Sequence, residues 1–151
     1  GMTLALGADM RYARPDAKVA IMEAKWGMVP DMAGLQTIRS TLSQDIAHEL
    51  IMTGDAIDAT TAQSYGLVTR VVDDPMAEAL AMAEKLKARS PDATAAIKLS
   101  NQKSWNASTL SLLARETYYQ LRLIVGKNWR IMDIRNRKNP DQPFVKRQRG
   151  W

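Results

Sequence analysis

The sequence contains no cysteine. Disulfides, thiolate nucleophiles and cysteine-based metal sites are excluded, and a reducing, cytoplasmic compartment fits that composition. Histidine occurs once, as His48. One imidazole cannot build a His-rich metal centre or an imidazole pair, and its place beside Glu49 on a helical pattern reads as structural. No metal and no separate cofactor are expected. Aromatic residues are only 6% of the chain, with a single phenylalanine, Phe144. No apolar run approaches the ~20 residues that a membrane span requires. No basic segment precedes an apolar stretch near the N-terminus, so no secretory signal is read there.

What is present fits a soluble globular chain. Its 151 residues are 46% apolar and 25% charged, enough for a real core without covalent staples. Methionine is common, with nine copies, which suits irregular core gaps more than any dedicated ligand. The net charge of +5 is unevenly placed. Between Lys127 and Arg149 there are eight Lys or Arg against Asp133 and Asp141, so the rest of the chain is close to −1. A basic end of this kind is either a solvated face or a site for phosphate. Trp129 and Trp151 lie there, but no RNA or DNA motif accompanies them, so nucleic acid is the weakest of the candidate partners.

The periodicity is mostly helical. Thr3 to Ala8 reads as a helix end, Lys18 to Met22 and Leu67 to Val72 as short strands, and Arg14-Pro15-Asp16 as a turn. Met32 to Leu42 has helical spacing through Leu35, Ile38 and Leu42. Ser43 heads a helix that Gly54 ends, and Asp58 to Gly66 is a short capped helix. Asp74-Pro75 starts a helix that runs to about Ser90, followed by helices over Ala93 to Ser104 and Ser108 to Val125. After Gly126 the pattern weakens, and Asn139-Pro140-Asp141 with Pro143 reads as loop. The expected class is α/β and helix-rich, with fewer strands than a complete domain of that class would carry. The division is expected between a region 1–90 and a helical region with a basic tail, 91–151.

Four segments, "ADMRYARPDAKV" (Ala8–Val19), "MEAKWGMVPDMAG" (Met22–Gly34), "ELIMTGDAIDA" (Glu49–Ala59) and "AQSYGLVTRVV" (Ala62–Val72), stand in order and spacing that resemble the crotonase, or enoyl-CoA hydratase/isomerase, superfamily. A weaker match returns at "PFVKR" (Pro143–Arg147). The resemblance implies a partial crotonase-like (ClpP/crotonase) spiral core of ββα turns with a C-terminal helical region, read here as the C-terminal half of a longer fold. It implies trimers or hexamers, an acyl-CoA thioester substrate with coenzyme A as part of the substrate, and chemistry through an enolate. By motif count, one oxyanion-donor glycine would fall just before Gly1, and the second donor and the adenine loop further upstream. The chain by itself is therefore expected to be nearly inactive.

The same resemblance assigns residues. An enolate needs donors at its oxygen and an acid or base near the adjacent carbons. Glu23 lies where many family members carry a catalytic glutamate. The second glutamate of the hydratases, twenty residues earlier, corresponds to Thr3. Threonine can orient water but is no base near neutral pH, which puts hydration in doubt and leaves proton shuttling. Asp31, eight residues after Glu23, matches the second acid of dienoyl-CoA isomerases, though an aspartate after proline can equally be a helix cap. Trp26, Met28 and Pro30 would line an acyl pocket. Phe144 and Arg147 match an aromatic and a basic residue that approach the CoA nucleotide, and Lys146 could share that role. The competing expectation is a non-catalytic remnant that only assembles.

Overall fold

The computed structural model describes residues 1–150; Trp151, one of the aromatic residues at the basic end, lies outside the described residues. Two compact units are present, Gly1–Ala81 and Met82–Trp151. The division falls inside a helix, earlier in the chain than the Ser90–Pro91 break read from the sequence.

In the first unit the elements are short. Helix α1 (Met2–Ala5) leads to β1 (Tyr12–Ala13) and β2 (Lys18–Val19). Glu23–Trp26 forms a single 3-10 turn that ends on Gly27 in the left-handed region, at φ 71°. Then come α2 (Gly34–Ile38), α3 (Gln44–Thr53), β3 (Ile57–Asp58), α4 (Ala59–Ser64) and β4 (Arg70–Val71). The strands form two two-stranded ladders. β1 pairs with β4 in parallel, Tyr12 opposite Arg70, and β2 pairs with β3 antiparallel, Lys18 opposite Asp58. A parallel pair demands a long crossover, and here α2, α3 and α4 all lie within it.

Both expected strands are present but reduced to two residues each. Beyond Val19 the run is no longer paired, although Ile21 is buried. The side chain of Arg11 supplies part of what a longer ladder would have given. Its Nε donates to the carbonyl of Leu67 at 2.7 Å, and Nη2 donates to that of Gly66 at 3.1 Å. Burial lowers the pKa of this guanidinium from its ordinary value.

Helix α2 is shorter than the spacing of Leu35, Ile38 and Leu42 suggests. Met32 and Ala33 adopt φ of 51° and 62°, left-handed values that no helix accepts. At the other end hydroxyls compete for the backbone: Thr41 Oγ1 donates to the carbonyl of Thr37 and Ser40 Oγ to that of Gln36. Ser43 does sit at the N-cap of α3, but its side chain accepts no capping bond there. Asp58 caps α4 as expected, its Oδ1 accepting from the Thr61 N–H at 2.7 Å. The core of the unit gathers Leu6, Val19, Ile21, Ile38, Leu42, Ala47, Leu50, Ala62, Leu67 and Val68. Each large aliphatic side chain buried this way contributes about 1.5–3 kcal/mol.

Helix α5 (Pro75–Lys87) starts where Asp74 accepts from the N–H groups of Met76 and Ala77, and it buries none of its residues. It carries the unit boundary. The second unit continues with α6 (Pro91–Ser104), capped by Ser90, and α7 (Thr109–Ile124), capped by Ser108. Where the pattern weakens after Gly126 the chain forms an eleven-residue helix, α8 (Lys127–Arg137), and the loop read at residues 139–143 follows it. The charged sequence of α8 hides the usual apolar stripe. The one residue it buries completely is polar, Asn128. The chain then crosses back over α8 as an extended strap, residues 142–150, without regular secondary structure.

Candidate functional site

Glu23 opens the 3-10 turn, and the position of that turn is fixed from two sides. Lys25 lays its aliphatic stem against Gly54, where a Cβ would stand 3.0 Å from Lys25 Cγ. Its Nζ reaches Asp55 at 3.3 Å. The turn is thereby tied to the end of α3. On the other side, Gly34 allows α2 to approach α1 closely. A Cβ at Gly34 would lie 3.0 Å from Thr3 Cγ2 and 3.1 Å from Pro30 Cβ. Only a glycine lets Thr3 and Pro30 pack there without displacement.

The result is a cavity of about 270 Å³ bordered by Gly1, Met2, Thr3, Ala20, Met22, Glu23, Trp26 and Met28. Glu23 is half-buried in this wall. Among the described residues its carboxylate has no hydrogen-bond or ion-pair partner. A carboxylate left unpaired beside methionine and tryptophan side chains is available for proton transfer. Thr3 and Glu23, twenty residues apart in sequence, border the same space.

The other residues singled out in the sequence fall in different places. Trp26 and Met28 border the Glu23 cavity, and both are largely exposed on their outer sides. Pro30 is buried and packs toward Gly34 rather than into the cavity wall. Asp31 is exposed and does not border the cavity. Its carboxylate does not cap α2: the N-cap position is Ala33, with no side-chain bond, and Asp31 contributes only a carbonyl that accepts from the Gly34 N–H at 2.7 Å.

Phe144, Lys146 and Arg147 lie on the strap of the second unit. Phe144 is half-buried under the guanidinium of Arg135, 4.9 Å from the ring centroid. Lys146 and Arg147 are exposed and have no ion pair among the described residues. Sequence reasoning missed what holds them. Asp92 and Asn128, both buried, fix this strap, and neither advertises burial: Asp92 sits where an acid suits any helix start, and Asn128 follows a glycine at the head of a charged helix. A larger recess, of about 540 Å³, lies between α6 and α7. Its only carboxylate is Glu116, and none of the residues singled out by motif borders it, so size alone does not make it the site.

Comparison with known proteins identifies the pattern. The family model described as enoyl-CoA hydratase/isomerase matches residues 1–124. The chain is 39% identical over 100 residues to a carnitinyl-CoA dehydratase of Citrobacter koseri, covering 65% of this chain and 38% of that protein. It is 34% identical over 131 residues to the Escherichia coli carnitinyl-CoA dehydratase, covering 85% of this chain and 48% of that one. Among solved structures, an enoyl-CoA hydratase from Polaromonas superimposes with a TM-score of 0.88 at 28% identity, covering 95% of this chain and 57% of the other. The chain thus spans about half the length of the curated relatives it matches. The architecture is that of a partial, helix-rich α/β crotonase fold, as the four motifs imply. On the family match and the shared fold together, this chain belongs to the enoyl-CoA hydratase/isomerase family.

Proposed function

We propose that this chain serves in hydratase/isomerase-type chemistry on an acyl-CoA thioester, passing through an enolate, with Glu23 moving the proton. The observation that carries the reading is the cavity in which a half-buried, unpartnered Glu23 stands beside Met2, Met22, Trp26 and Met28. An apolar wall suits an acyl chain, and a free carboxylate at its edge suits acid–base work on the carbons next to the carbonyl. Thr3 borders the same cavity and brings no second carboxylate to it. That favours proton shuttling between carbons over addition of water. A two-acid isomerisation using Asp31 draws no support from this cavity, since Asp31 does not border it.

The test is spectroscopic. The chain is mixed with crotonyl-CoA or a 3,5-dienoyl-CoA and the thioester absorbance is followed. Glu23→Gln is expected to lower any turnover by about 10²–10⁴. A folded chain that leaves both thioesters unchanged favours the assembling remnant instead.

The proposal extends to self-association and to a cytoplasmic setting. Leu110 and Leu121 on α7 and Val125 just past its end are exposed, an apolar surface that suits a second copy. Light scattering at high concentration should show an oligomer; a monomer there would count against it. Among the described residues no helix is long and apolar enough to cross a membrane. The cytoplasmic assignment rests on the absence of cysteine.

A further inference from the structure

The strap that carries Lys146 and Arg147 belongs to no helix or sheet, yet its backbone is not left to water. At its start, Arg135 Nη1 donates to the carbonyl of Gln142 at 2.8 Å, while the same guanidinium covers the Phe144 ring. Next, the side-chain amide of Asn128 treats Val145 as a sheet neighbour would. Asn128 Oδ1 accepts from the Val145 N–H at 3.0 Å, and Nδ2 donates to the Val145 carbonyl at 3.2 Å. The second Nδ2 hydrogen goes to Asp92 Oδ2 at 3.0 Å. Asp92 Oδ1 in turn accepts from the Gln148 N–H at 2.7 Å. At the far end, Arg122 Nη2 donates to the carbonyl of Arg149 at 2.8 Å.

Two of these anchors matter most. Val145 and Gln148 are pinned by a buried pair of side chains, and the residues between them are Lys146 and Arg147, both exposed. Gly126 lies against this segment, where a Cβ would meet the tip of the Gln148 side chain and make it swing aside. Buried polar groups that satisfy one another completely make a rigid device. Fixing a residue's backbone costs about 1–2 kcal/mol, and here that ordering is complete before any ligand arrives.

We infer that Asp92 and Asn128 are positioning residues: a buried latch that holds Lys146 and Arg147 as a preorganised pair of cations for the phosphates of a CoA nucleotide. The inference rests on the acyl-CoA reading for the identity of the ligand. The latch itself rests on the contacts above. A planar guanidinium and an ammonium on adjacent, pinned residues are matched to a diphosphate or to a dianionic phosphate.

The experiment is a double-mutant cycle on the 151-residue chain, with coenzyme A as the probe in isothermal titration. Asn128→Ala should weaken coenzyme A binding by about tenfold. The double variant Lys146→Ala/Arg147→Ala should weaken it by at least as much. Combining them should add almost nothing, because the latch acts through the cations. A merely structural role for Asn128 would instead multiply the two losses. Gln148→Pro, which removes both hydrogen bonds that Gln148 donates to Asp92 and leaves the Asp92 and Asn128 side chains in place, repeats the cycle if Asn128→Ala fails to fold. Tryptic cleavage after Lys146 or Arg147 should also quicken in either latch variant. Independent, multiplying losses, or affinity indifferent to both latch variants, would overturn the latch alone. A native chain that ignores coenzyme A would overturn the acyl-CoA reading and this inference with it.

Discussion

The two compact units bury different chemistry. Every described residue in the extended apolar core, from Leu6 to Val68, lies in the first unit, and that unit buries none of the polar residues that the fold hides completely. Among the described residues the second unit hides Ser90, Asp92, Ser104 and Asn128, with only Ala96 and Tyr119 as buried apolar partners. One half is held by area removed from water, which is indifferent to direction. The other depends on hydrogen bonds whose donors and acceptors must match one by one. The first design tolerates repacking; the second tolerates almost none. The placement fits the proposed roles: a greasy wall around Glu23, and a strap held in one course to present charge.

Substitutions can break or sharpen that contrast. The largest stability effect is expected from Ile38→Ala in the first unit, about 2–5 kcal/mol in urea melts, from lost transfer energy plus a cavity. Asn128→Leu comes next. It keeps the branched shape but removes the amide that serves Asp92 Oδ2 and both polar groups of Val145, leaving Oδ2 only the 3.5 Å bond from Gln148 Nε2, and should cost about 1.5–3 kcal/mol. Its control is Leu67→Met, a similar-sized swap in the apolar core expected to cost under about 1.5 kcal/mol. Equal costs for Asn128→Leu and Leu67→Met would erase the distinction between the units. The smallest effect belongs to an exposed cap, Asp58→Ala, with a fall of about 2–4 °C in Tm at neutral pH. The Thr61 N–H holds the Asp58 carboxyl below its usual range. The cap therefore contributes fully above the unfolded-state pKa and is lost as pH falls through the depressed folded value. The gap between native and Asp58→Ala melting points should close in acid.

The same contrast explains what the sequence could disclose. The caps at Asp58 and Asp74 and the glycine stop at Gly54 were readable, because a cap is a local bargain between one side chain and the next turn. Ser43, read the same way, makes no capping bond, and the caps Ser90 and Ser108 were seen only as helix boundaries. Helices α3 and α4 were readable from the residues that bound them. Helix α8 was not, since its 11 residues are held by a buried amide and by charge, and neither leaves a hydrophobic period. Helix α2 was overextended because spacing says nothing about two left-handed residues at its head. The motif spacing pairs Glu23 with Thr3, and the two border one cavity. The pairing of Asp92 with Asn128 was not legible: 36 positions separate them, and their meeting is a fact of tertiary structure.

Met32 and Ala33 reach beyond the length of α2. Each sits in a backbone region that disfavours any residue with a Cβ by about 1–2 kcal/mol. Anyone seeking a hardier protein would begin there, with glycine at both sites. The same swap would relax the arc that follows Trp26 and Met28, so that heat tolerance and the constancy of that wall pull against each other across two neighbouring φ angles.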